Sequence, residues 1–123
     1  MRMFKDSSSH QHPSELFVSV KSCFYKRLYV HSKKVTPFRL SQADLVHLYE
    51  VIVSNKFDRI ECVQKIPVSE RKGVVLIVIA NGKTYQKADI GHSFLQEGFS
   101  EISFGFTRFA MNEIVRKYQL DTP

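Results

Sequence analysis

The sequence predicts an α+β fold, an antiparallel sheet of about four to six strands with two helices packed on one face. Three observations predict it. Two β-rich runs flank the pair Asn81-Gly82, a capped and apolar-striped segment follows Ser41, and aromatic and β-branched runs fill Leu16 to His31. A chain of 123 residues with 43% hydrophobic and 12% aromatic content falls in the single-domain range and can bury a core rich in its ten Phe.

Taken in order, residues 1–13, MRMFKDSSSHQHP, are Ser-, His- and Gln-rich and end at Pro13, which predicts a mobile tail and leaves 14–123 as one domain. Leu16, Val18 and Val20 alternate with Phe17 and Ser19, and Phe24 to His31 forms a second run, so a hairpin turning near Lys21 to Cys23 is expected. Ser41 is a good N-cap, Asp44 is placed to return a bond to the cap's N–H, and Leu40 and Leu45 have the spacing of a hydrophobic staple. A helix is therefore expected from Gln42. Its stripe is Leu45, Leu48, Tyr49 and Ile52, and Asn55 is expected to end it in the left-handed conformation.

A third short strand is expected around Ile60 to Val63. Beyond it, Asn81-Gly82 predicts a two-residue turn that sets Ala80 against Lys83, Val78 against Tyr85 and Leu76 against Lys87. Val74 to Ala80 is apolar on both faces, the pattern of a central strand, whereas Lys83 to Asp89 alternates with lysines, the pattern of an edge. Gly91 to Gly105 reads as a loop leading to a short strand in which Ile102, Phe104 and Phe106 alternate. A closing helix is expected over Arg108 to Tyr118, capped by Thr107.

The segments LSQADLVHLYEVIVSNKFD and GVVLIVIANGKTYQ, with the closing helix, resemble small uncharacterised bacterial hairpin-helix-hairpin-helix domains, often carried by exported proteins or lipoproteins. The resemblance implies the fold but no catalytic residue, because its motifs are a cap and a turn. No apolar run reaches the roughly 20 residues of a membrane span, and no secretory signal opens the chain. The chain is thus expected to be soluble, with export dependent on a leader removed beforehand.

The formal charge of +6 lies wholly in the first 40 residues, where eight Lys and Arg face two acids. Lys21, Lys26, Arg27, Lys33, Lys34 and Arg39 there alternate with Tyr25 and Tyr29. This hairpin is the candidate binding surface, suited to an acidic protein or other polyanion. Because aromatic faces stack on unpaired bases, single-stranded nucleic acid is the alternative partner.

Chemistry is less well signalled. His10 and His12 form an H-x-H pair without the further ligands a metal needs, and Cys23 and Cys62 lack C-x-x-C spacing and are expected to be free thiols. His47, His92-Ser93 and the two cysteines lie in no catalytic signature. Gly91, Gly98 and Gly105 build no phosphate loop, and no cofactor is implied. The expected function is a noncatalytic binding module contacting an acidic partner through its basic hairpin. A small enzyme with an unrecognised site is the second alternative.

Overall fold

The computed structural model describes residues 1–5, 13–29, 31–64, 73–80, 82–90 and 93–121. Strands β1 (Arg2–Lys5), β2 (Ser14–Val18), β3 (Cys23–Leu28) and β4 (Lys33–Phe38) precede helix α1 (Gln42–Ser54) and a 3-10 turn, Phe57–Arg59. Then come β5 (Cys62–Gln64), β6 (Val74–Ala80), β7 (Lys83–Asp89), β8 (Ser93–Leu95) and helix α2 (Phe99–Lys117). Six strands form one antiparallel sheet in the order β4-β3-β2-β1-β6-β7, and β5 pairs with β8 in a separate ribbon.

Period-two alternation gives the sheet one buried face. The register sets Met3 between Leu16 and Leu76, and these three are buried with Val18, Tyr25 and Val78. The helices cover that face with Leu48 and Ile52 from α1 and Phe104, Met111, Ile114 and Val115 from α2. The predicted fold class is the observed one.

The expected tail contains a correction. Residues 2–5 are not a tail but β1, the strand that joins the two halves of the sheet, with Met3 only 2% exposed. Lys5 Nζ also donates to Asn112 Oδ1 on α2. Phe4 breaks the alternation of Met1 and Met3 around Arg2, and four residues are too short to outweigh the Ser/His/Gln-rich run behind them. The folded unit therefore includes these residues. Residues 6–12, with His10 and His12, lie outside the described ones.

The second hairpin has the register that its turn predicts, with Ala80 opposite Lys83, Val78 opposite Tyr85 and Leu76 opposite Lys87. Gly82 has φ +76°; Asn81 lies outside the described residues. β6 is interior and β7 is an edge, as expected. However, only Val74, Leu76 and Val78 are fully buried on β6, while Ile79 on the other face is 57% exposed.

Three further expectations change. The first hairpin extends into a third strand, β4, which tolerates Pro37 because it is an edge strand with one unpaired side. The strand expected near Ile60 appears as β5, but it pairs with β8 instead of joining the main sheet. The expected short strand and Arg108-to-Tyr118 helix are one helix, α2, of 19 residues starting at Phe99. Thr107 is therefore no cap: it is fully buried at mid-helix and its hydroxyl donates to Ser103 O at 3.0 Å.

Candidate interaction surface

α2 departs from the ordinary distribution of residues on a surface helix on both of its sides. Its sheet-facing side buries Ser100, Ser103 and Thr107 among the apolar core residues. Each hydroxyl is satisfied: Ser100 Oγ accepts from the Glu61 N–H at 2.8 Å, and Ser103 Oγ donates to Asn55 O. The solvent side carries Phe99, Ile102, Phe106 and Phe109, which are 48%, 60%, 56% and 60% exposed. Spacings of three, four and three residues align these side chains in one stripe. Scattered exposed apolar residues are ordinary, whereas an aligned apolar stripe is a candidate interaction surface.

Two hollows extend the stripe. Gly105 leaves a notch beside Ile102, Phe106 and Phe109, and a β-carbon placed there would meet nothing within 4 Å. Between the helices, Leu48, Val51, Phe106, Phe109, Ala110 and Ile114 wall an apolar groove of about 220 Å³, with Asp44, His47, Glu113 and Lys117 around it. That volume is below the roughly 300–1,000 Å³ of typical small-molecule pockets and suits an inserted side chain better than a cofactor.

One end of the groove is fixed by a polar network. Ser41 Oγ accepts from the Asp44 N–H at 3.1 Å, as a helix cap should. The Asp44 carboxylate does not return the bond to the cap. It accepts from Tyr118 Oη at 2.6 Å and from Lys117 Nζ at 2.9 Å, and Tyr118 Oη accepts from the Ser41 N–H at 3.0 Å. The Tyr118 and Lys117 bonds, helped by Ser41, hold the Asp44 carboxyl down at about 2 from an ordinary 3.8. The start of α1 is thereby tied to the end of α2. At its other end α1 stops on Asn55, whose N–H and side-chain amide both donate to Val51 O, while Lys56, not Asn55, takes the left-handed conformation.

The basic hairpin is divided rather than gathered. Tyr25 lies on the helix-facing side, 4% exposed, and its hydroxyl donates to Asp121 Oδ1 at 2.9 Å. Burial, with Asp121 accepting that proton, pushes the Tyr25 phenol up. Arg27 also turns to Asp121, with Nε 3.9 Å from Oδ1. Lys26 is on the opposite face, between Glu15 and Val35 in register. Tyr29 is half-buried just after β3. Lys33 and Lys34 begin β4, whereas Lys21 and Arg39 line a polar recess of about 280 Å³ at the far end of the hairpin. Lys21, Lys26, Lys33, Lys34 and Arg39 make no ion pair among the described residues.

Among the described residues the other candidates do not converge. Both cysteines are free; Cys23 Sγ donates to Ser19 O at 3.6 Å and Cys62 Sγ to Ala88 O at 3.4 Å. Ser93 Oγ donates to Ala88 O at 3.1 Å, and His92 lies outside the described residues. Among the described residues, no three His, Cys, Asp or Glu side chains gather as a metal site would require. No described helix is long and apolar enough to cross a membrane.

The α2 stripe was missed because Ile102, Phe104 and Phe106 also satisfy a two-residue period, and because Ser and Thr occupy the buried face where apolar residues would have marked a helix. The spacing Phe99, Ile102, Phe106, Phe109 was the available signal. No protein-family model, curated protein or solved structure matches the chain.

Proposed function

We propose that this chain is a noncatalytic interaction module that docks through the solvent face of α2 and the adjoining α1–α2 groove. The observation that carries this reading is the aligned exposure of Phe99, Ile102, Phe106 and Phe109 on a helix whose buried side is partly hydroxylic. With roughly half of each side chain in water, each forgoes about half of the roughly 1.5–3 kcal/mol that full burial supplies, and a partner covering them recovers part of that. The sheet supplies the rigid support, and the Asp44–Lys117–Tyr118 network fixes the spacing of the two helices at one end of the groove.

The test places a photo-crosslinking amino acid at position 106, on the stripe, and at positions 33 and 86, on the hairpin and the edge strand, in the cells that make the protein. Adducts heavier than the chain from position 106 alone support the reading. Adducts equally frequent from all three positions, or from none, overturn it.

The hairpin cations Lys21, Lys26, Lys33, Lys34 and Arg39, which pair with no acid among the described residues, favour a second reading, contact with an acidic protein or other polyanion. It loses the stacking faces expected for single-stranded nucleic acid in part, since the Tyr25 ring belongs to the core. A heparin titration at two salt concentrations tests it, with a Lys26, Lys33 and Lys34 charge-removed variant as the control. Salt-sensitive binding lost in the variant supports it, and no binding at low salt removes it.

A further inference from the structure

We infer that the partner of the α2 face is a second copy of this chain, the two α2 helices pairing antiparallel across a two-fold axis beside Gly105. The inference rests on the reading of that face as an interface and names its occupant.

Gly105 supplies the first argument. Glycine is the poorest helix former after proline, yet here it stands in the interior of a 19-residue helix, on the solvent side, with open space where a β-carbon would be. Among the described residues nothing lies close enough to call for a missing side chain at this point. A helix packed across the notch does, because its backbone can approach more closely than any side chain would allow.

Charge supplies the second. Glu101 and Arg108 lie seven residues apart, two turns on the same flank of α2, with Gly105 between them. Arg108 pairs with no acid among the described residues, and Glu101 uses only Oε1, accepting the Gly98 N–H at 3.3 Å. A parallel two-fold pair turns this flank toward the opposite flank of the second copy, so neither charge finds its complement there. An antiparallel pair with its axis beside Gly105 sets each Glu101 against the second copy's Arg108, and symmetry makes the contact twice. Within one residue of that register Ile102 comes against the second copy's Phe106 and Phe99 against its Phe109, so one arrangement covers the whole stripe and neutralises both charges.

The experiment is sedimentation equilibrium on the full chain over a concentration series, with Glu101→Arg, Arg108→Glu and Gly105→Ala variants. The wild type is expected to dimerise reversibly. Each charge reversal alone puts like charges opposite each other at two places and weakens association by roughly tenfold. Mixing the two single variants restores it, because the Glu101→Arg chain then presents only cations to a chain presenting only anions. This comparison is insensitive to the capping bond that Glu101→Arg removes, since the same variant is read alone and in the mixture. Gly105→Ala should raise the melting temperature of the monomer while weakening association by roughly tenfold.

A chain that remains monomeric up to about 1 mM overturns the inference, as does a mixture that associates no better than its components. If position 106 then crosslinks a different macromolecule, the α2 face is still an interface with another occupant. If it crosslinks nothing, the interface reading fails as well.

Discussion

Asp44 illustrates how a single residue can be placed correctly and assigned the wrong partner. Its position three residues after Ser41 identified the helix start, but its carboxylate is bound by Tyr118 and Lys117, more than 70 residues away in sequence. Those bonds lower its folded-state value to about 2 from 3.8, so their contribution to stability is complete above about pH 4 and is lost as pH falls toward 2. The urea midpoint of the wild type should therefore drop between pH 4 and pH 2, and that segment should flatten in Asp44→Asn. Gly82 is the converse case, legible from two letters of sequence. At φ +76° with nothing within 4 Å of a β-carbon, only the backbone resists substitution. Gly82→Val should cost roughly 1–2 kcal/mol in chemical denaturation, and an unchanged midpoint would place the strain elsewhere.

Among elements, legibility followed the strength of local signals. The capped α1 and the second hairpin were readable because a side-chain cap and a glycine turn act over a few residues. β1 and β4 were not. Four residues before a polar run, and a Lys-rich strand containing Pro37, acquire their conformation from the strands beside them. β1 is the stronger test, since it alone bridges β2 and β6. Met3→Asp puts an unpaired carboxylate at a site 2% exposed, and should remove the cooperative unfolding transition of the entire sheet rather than fray one end. A variant melting like the wild type would show that β1 is dispensable. α2 was half legible: its C-terminal half carried a helical apolar stripe, while its N-terminal half hid the same period behind Ser100, Ser103 and Thr107.

At the scale of the molecule, the charge and the apolar surface occupy different places. The excess positive charge is carried by the first 40 residues, and the aligned apolar stripe by the last helix. By itself the sequence determined the α+β class, the start of α1, the register of β6 with β7 and the location of the net charge. Each of these depends on spacing along the chain or on local backbone preference. Only the tertiary structure decided that β1 completes the sheet, that Tyr25 and Arg27 turn to Asp121, and that Phe99, Ile102, Phe106 and Phe109 face solvent. Burial is the reason. Hydrophobicity records that a side chain favours leaving water, but the packing of distant elements determines which apolar residues find a place in the core, and here three hydroxyls took positions on α2 that aromatic rings did not.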